Sequence, residues 1–424
     1  MNPRFAEAAI TALGEADRGI PVRQLARLSI RDWRRGLRWL DASGLALYFR
    51  QRVASSCLEE CVPAEILNAL DQRLKDNKQR TVQLFQEFAA INNAFQKNGA
   101  HYVNLKGFTL IPDYCPDPSL RCQFDLDFIV SHPDLGLCQA ILQSFGYAVT
   151  GRHGNVVELK AGSAQVPSIR DLYKPRNQRS VEVHFVPPSQ ATPPIDDCGL
   201  LRRQNRVWNG VTFPALSDAD MFLAQASHLL RHLKSEWTRV SWLLEFRTFV
   251  NAKTADTKLW QDVRNQAASN AEGALAVGVA VLLATQVFGD VGPPELLGWS
   301  IEAVPRSMRL WLNRYGKTVL QADFPGTKLY LLLDSELSDG GNVRKTDVGK
   351  LFPLHRPPRV THPDGRVSVR AFLSQIRFTL FRLRFHVVEG SRYVIAAQQW
   401  KRSMSRQWDE AGKSVSGCGS TFVV

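Results

Sequence analysis

Over the first hundred positions, apolar residues recur at near-helical intervals. Val22 to Leu28 and then Trp33 to Ala54, with Trp33, Leu37, Leu40, Leu45, Leu47 and Phe49 separated by many Arg, predict amphipathic helices. Pro63 suits the first turn of a long helix running to about Lys97. Its stripe is Ile66, Leu67, Leu70 and Leu74, then Leu84, Phe88, Ile91 and Phe95, and Asn98-Gly99 ends it. The period then shortens. Tyr102 to Leu105 reads as a short strand, and Lys106-Gly107 as a strand-to-helix corner where glycine lets the backbone approach an anion and a following helix aims its first N–H groups at it. Past a Pro-punctuated loop from Ile111 to Ser119 comes Phe124-Asp125-Leu126-Asp127-Phe128-Ile129-Val130, a strand with two carboxylates on one face.

Two unpaired carboxylates on one strand repel, and near a core each also loses hydration. One of them is expected to hold its proton unless a cation shares the site, and a divalent metal is the simplest such cation. An isolated Asp-x-Asp is more often an edge strand with a wet outer face. Downstream, Pro133 to Phe145 predicts an amphipathic helix closed by Gly146, and Tyr147 to Val149 and Val156 to Leu159 predict further strands. Ser180 to Val186 is the second informative strand. Alternation puts Val181, Val183 and Phe185 on one face and Glu182 with His184 on the other. If it lies beside the Asp125/Asp127 strand, three carboxylates converge, an adjacency that spacing alone does not supply.

After Pro187-Pro188 the pattern turns helical: Asp218 to Phe249, Ala271 to Phe288 and Val304 to Leu320. His228 and His232 stand at i, i+4, but no Glu of the zinc-protease motif lies between them, so a structural or substrate-lining role is favoured over metal ligation. A stretch rich in Pro, Gly and charge from Ser338 to Gly365 is the best linker. The terminal part, Val367 to Trp408, interleaves Phe372, Phe378, Phe381 and Phe385 with basic residues. A solvated helical face is the default for it, and a nucleic-acid or membrane-surface patch is the sharper alternative.

Composition narrows the picture. The chain has 424 residues, 44% of them hydrophobic and 22% charged, enough for two or three ordinary domains and unlike a disordered chain. Its longest apolar run, Ala274 to Ala284, is too short for a membrane span. No signal-like segment opens the sequence, so a cytoplasmic protein is expected. Seven scattered cysteines argue against a disulfide framework, and Cys57-x₃-Cys61 lacks partners at zinc-finger spacing. The formal net charge of +13 is concentrated between residues 344 and 406, where fourteen Lys or Arg face three acids, making a polyanion such as nucleic acid a candidate partner there.

Taken together, Leu105-Lys106-Gly107, Arg121-x-x-x-Asp125-Leu-Asp127-Phe-Ile-Val130, Phe145-Gly-Tyr147 and Val181-Glu-Val-His-Phe185 resemble the bacterial uncharacterised nucleotidyltransferase family, a branch of the polymerase-β-like nucleotidyltransferase superfamily. The resemblance spans roughly Trp33 to Phe249. Each motif alone is weak, and their order carries the specificity. Lys106-Gly107 stands where the wider superfamily has Gly-Ser, Phe124 where the branch often has a small residue, and Phe185 in place of a frequent Trp.

The resemblance implies an α+β fold in which a small mixed β-sheet nucleotidyltransferase core is flanked by N-terminal and C-terminal helical regions. The corresponding division is a helical region over 1–100, the core over 101–215, a helical domain over 216–337, and a basic linker with a C-terminal helical segment over 338–424. It also implies transfer of a nucleoside monophosphate from an NTP, ATP among them, to an acceptor, with release of pyrophosphate. Asp125, Asp127 and Glu182 would hold Mg²⁺ or Mn²⁺, two ions about 3.5 to 4 Å apart in such sites. Glu182 would orient the acceptor hydroxyl, with His184 in a positioning or acid–base role. Lys106, Gly107 and Arg121 would bind the nucleotide phosphates, Arg121 with two donors at once. The acceptor is left open among protein, RNA and small molecules. A catalytically inactive binding or regulatory protein on the same fold, with the basic C-terminal segment holding an anionic partner, is the alternative.

Overall fold

Gly44, at φ +75°, splits the first expected helical run. The computed structural model describes residues 3–14, 19–162, 171–175, 178–185, 202–289, 291–338, 348–352 and 369–416, and in place of one helix over Trp33–Ala54 it has α3 (Ile30–Ser43) and α4 (Ala46–Ser55). Ahead of them lie α1 (Pro3–Gly14) and α2 (Gly19–Leu25). Ser29 caps α3, accepting from the Asp32 N–H while Asp32 reaches back to the Ser29 N–H. Phe5, Trp33 and Trp39 pack edge to face at the centre of this group.

The long helix α5 (Ala64–Lys97) has Pro63 at its N-cap, and the backbone leaves it through Gly99 in the left-handed region. Its apolar stripe is interrupted by buried Asn77, Arg80 and Asn92. Elsewhere Phe88, Ile91 and Phe95 of the stripe cover one face of a seven-stranded sheet, meeting Leu126, Phe128, Val181 and Val183. The strands are β1 (Tyr102–Asn104), β2 (Leu126–Val130), β3 (Ala148–His153), β4 (Val156–Ala161), β5 (Arg179–Phe185), β6 (Arg203–Trp208) and β7 (Val211–Leu216), in the order β3-β4-β5-β2-β1-β7-β6. The sheet is mixed: β2 runs parallel to β5 and β1 to β7, and the other neighbours are antiparallel. Helix α6 (Leu135–Ser144) adds Cys138 and Leu142 to the same core. The fold is α+β.

The hairpin β6–β7 departs from the expected return to helix after Pro188. It turns at Asn209 and Gly210, both at positive φ (45° and 76°), as a two-residue hairpin turn requires. The expected helix over Asp218–Phe249 is two, α7 (Asp218–Leu233) and α8 (Val240–Ala252). They are followed by α9 (Thr257–Ala268), α10 (Ala271–Phe288) and α11 (Pro294–Glu302).

By compactness the chain divides into a unit of Met1–Leu230 with Arg239–Val304 and a second of Arg231–Thr238 with Pro305–Val424. In the second unit the expected Val304–Leu320 helix is α12 (Arg306–Trp311), a π-turn over Leu312–Gly316, and α13 (Lys317–Leu320). Then come α14 (Tyr330–Ser338), the single turn α15 (Val348–Leu351) and the long α16 (Val369–Ser416). Fully buried Lys328 binds Glu236 at 3.1 Å, and Arg382 of α16 reaches the same carboxylate at 3.3 Å. Apart from α15 and Phe352, the expected linker over 338–365 lies largely outside the described residues. Among the described residues no helix is long and apolar enough to cross a membrane.

Candidate active site

Register places the acidic side chains. In the parallel β2–β5 pair Asp127 stands directly beside Glu182, with Leu126 beside Val181 and Ile129 beside His184. Because alternate side chains point to opposite faces, Leu126, Phe128, Val181 and Val183 enter the core and the polar residues share the other face. The result is a cluster: ligand atoms of Asp127, Glu182 and His184 all lie within 4.8 Å of one another. His184 Nε2 stands 3.6 Å from both Asp127 Oδ1 and Glu182 Oε2, beyond hydrogen-bond length from either, and makes no hydrogen bond among the described residues. Burial works against protonation of this imidazole, but the two carboxylates outweigh it and raise its pKa.

Asp125, one residue ahead of β2, stands outside that tight group but within electrostatic range of Asp127, Lys106, Glu182 and Arg121. The two aspartates titrate apart. Burial, then the charge of Asp127, pushes Asp125 up to about 6. Burial acts on Asp127 in the same sense, yet His184 and Lys106 overcome it and hold that carboxyl below its ordinary value. Lys106 Nζ binds Asp127 Oδ1 at 3.1 Å. Without a further cation, Asp125 therefore holds its proton to higher pH than an ordinary carboxyl, through burial first and the charge of Asp127 second.

The corner at Lys106-Gly107 differs from expectation. A four-residue 3₁₀ turn, Gly107–Leu110, with Lys106 at its N-cap, follows it in place of an α-helix. Gly107 adopts φ +67°, and a Cβ there would fall 2.1 Å from Gln123 Nε2, which donates to the Asp125 carbonyl at 2.8 Å. What approaches this glycine is the Gln123 amide, holding the chain just ahead of Asp125.

Arg121 is anchored rather than loose. Its Nε faces Glu245 Oε1 and Oε2 at 3.2 and 3.3 Å, and Tyr48 donates to the same Glu245 oxygen at 2.9 Å. Burial weakens the guanidinium's hold on its proton and Glu245 more than restores it, leaving the pKa above the ordinary value. Among the described residues the terminal nitrogens of Arg121 make no hydrogen bond, so the fork remains available while the Nε edge is fixed. Two helices complete the frame. Asn77 of α5 donates to the carbonyls of Ser119 and Arg121, and Arg80 to those of Gln123 and Leu172. Arg80 and Arg239, the latter at the N-cap of α8, each lie over the Phe124 ring, at 4.7 and 5.1 Å.

Glu245 stands in the predicted Asp218–Phe249 helix with Arg239 and Trp242, and Tyr48 in the Trp33–Ala54 stretch, but nothing in the sequence ties either to Arg121. They meet Arg121 from 124 and 73 positions away, and no spacing rule reaches that far. His228 lies edge-on to Trp242, with ring centroids 4.6 Å apart, in keeping with a packing role.

The sequence model of a family described as uncharacterised nucleotidyltransferase matches residues 29–289. No curated protein matches the chain. Among solved structures, the chain is similar to an antigenic nucleotidyltransferase-like protein from Paracoccidioides brasiliensis, at 12% identity over 48% of this chain and 91% of that one, with a TM-score of 0.29.

Proposed function

The chain belongs to the uncharacterised nucleotidyltransferase family, and from that premise we propose that it moves a nucleoside monophosphate from an NTP to an acceptor hydroxyl, releasing pyrophosphate, in the manner of the polymerase-β-like superfamily. One observation carries the reading: Asp127, Glu182 and His184 converge on one polar face of two parallel strands in register. The donor set fits a hard divalent cation. Carboxylate oxygens from Asp127 and Glu182, with Asp125 alongside, are the ligands Mg²⁺ and Mn²⁺ prefer, and the His184 ring nitrogen stands between the first two. When bound, such an ion neutralises the carboxylates and withdraws charge from the phosphate oxygens.

The chain's own residues supply the rest. Lys106, a quarter exposed and set against Asp127, neutralises triphosphate charge as a flexible point cation. The free fork of Arg121 grips a phosphate, its direction set by Glu245. Glu182 is the accessible acid, its side chain 34% exposed against 2% for Asp127, and receives the proton of the acceptor hydroxyl as the oxygen attacks the α-phosphorus. His184, between the two acids, steers that proton. Protein, RNA and small-molecule acceptors all carry a suitable hydroxyl.

The test is a thermal-shift and labelling series with each NTP and Mg²⁺ or Mn²⁺. Metal-dependent stabilisation by a nucleotide and transfer of its labelled α-phosphate are expected for the parent. Asp125→Asn with Asp127→Asn should abolish both, and Asp125→Asn alone, which relieves the repulsion and keeps the Lys106–Asp127 pair, should leave the metal-free melting temperature at or above the parent's. Glu182→Gln should keep nucleotide binding and lose about 10² to 10³ in rate. Turnover by the double variant would refute the assignment, and nucleotide binding without transfer by the parent would leave only the binding protein.

A further inference from the structure

Eleven of the nineteen large apolar side chains exposed among the described residues lie on α16, between Val369 and Ile395. Their exposure runs from 40% at Ile376 to 77% at Val369. They are not scattered. Leu373, Ile376, Leu380, Leu383, Val387 and Val394 recur at alternating spacings of three and four, with a gap at Gly390, and form one seam along the helix. At Gly390 the ring of Phe352 from the same unit lies so close that a Cβ would meet it at 2.9 Å. Phe381, Val388 and Ile395 form a second row beside the seam at seven-residue intervals. The opposite face of α16 carries Phe385, Tyr393, Ala396 and Trp400, buried within the unit, where Trp400 donates to Glu336 and Tyr315 to the Ala396 carbonyl. The helix is therefore apolar on two sides, and the described residues cover only one. A patch of this extent marks an interaction surface.

Charge decides what covers it. From 369 to 402 the chain has seven Lys or Arg and one acid, Glu389, which is buried and paired with Arg392. Arg382 is spent on Glu236. Arg377 and Arg384, both exposed and one heptad apart, run between the seam and the second row. A second copy of α16 has no acid for them: antiparallel pairing sets this row against itself, and parallel pairing sets it against Phe372 and Thr379. Nucleic acid would satisfy the arginines and leave the leucines wet. The two apolar rows with the seam's flank cover close to half the circumference, more than one partner helix shields, whereas a bilayer surface covers that much at once.

We propose that the exposed face of α16 docks flat on an anionic lipid bilayer. Leu373, Leu380 and Leu383 enter the acyl boundary, and Arg377 and Arg384 lie at the level of the lipid phosphates, their stems along the apolar surface and their guanidinium groups in the headgroups. The helix lies on the membrane without spanning it, in keeping with its arginine content. The inference stands on the second unit alone and does not depend on the reaction proposed above.

Flotation of the full-length protein with phosphatidylcholine vesicles, with and without phosphatidylglycerol, tests it. Binding to the phosphatidylglycerol vesicles and little to the neutral ones is expected. Leu380→Glu with Leu383→Glu should abolish binding, and Arg377→Gln with Arg384→Gln should weaken it by about fivefold per residue. All four positions are exposed, so melting temperature and circular dichroism should match the parent. Absence of binding to anionic vesicles overturns the proposal. So does light scattering that shows a dimer converted to monomer by the two Leu→Glu changes, since a second copy would then cover the seam.

Discussion

Asp125 and Asp127 differ by two positions, yet their surroundings pull their proton affinities in opposite directions, because burial and the charge of Asp127 dominate at Asp125, which feels Lys106 only at range, whereas Lys106 binds Asp127 directly and His184 stands beside it. The Arg121–Glu245 pair is more demanding. Both side chains are largely withdrawn from water, so removing either leaves an uncompensated charge. Glu245→Ala is expected to destabilise the protein by about 3–5 kcal/mol, and Tyr48→Phe, which removes the hydroxyl's bonds to the same carboxylate and to Cys115 Sγ, by about 1.5–3 kcal/mol. Chemical denaturation of the two variants checks the ratio. Equal losses would mean that Arg121 finds another anion. The acids were legible from alternation because a strand's period puts i and i+2 on one face. The anchor was not, because Tyr48 and Glu245 reach Arg121 through tertiary packing.

At the level of elements, α5 does two jobs. Its apolar stripe, readable from the sequence, covers the sheet, and its buried polar positions, which look like defects in that stripe, hold the segment that delivers Arg121 and Asp125. Asn77→Ala frees the carbonyls of Ser119 and Arg121 and is expected to cost about 1–3 kcal/mol. It should also lower nucleotide affinity without touching the acidic cluster. Hydrogen exchange should rise across residues 117–125, and unchanged protection there would show that the loop holds itself. The β6–β7 hairpin is the opposite case: Asn209-Gly210 between Val207-Trp208 and Val211 is a strong local turn signal, masked in reading by the prolines ahead of it and the helix behind. The parallel β2–β5 contact, on which the cluster depends, has no local signature, because strands brought together by a crossover are matched only by the finished core.

For the whole molecule, the informative fact is that Arg231–Thr238, the end of α7 and most of its connection to α8, belongs with the residues after Val304. There the Glu236 carbonyl accepts from the Thr327 N–H, its carboxylate holds Lys328 and Arg382, and Gly326 at φ +102° passes so close that any Cβ would strike the Glu236 carbonyl. A chain ending at Val304 is expected to keep the sheet and lose protection over 231–238, measured by amide exchange against the full-length protein. Equal protection in both would show that the connection is held from its own side. The C-terminal part is thus no detachable cassette. A nonsense mutation after Val304 strips an acid in the middle of the polypeptide of both its cations, and the damage surfaces far upstream of the lesion, between two helices that the shortened gene still encodes intact.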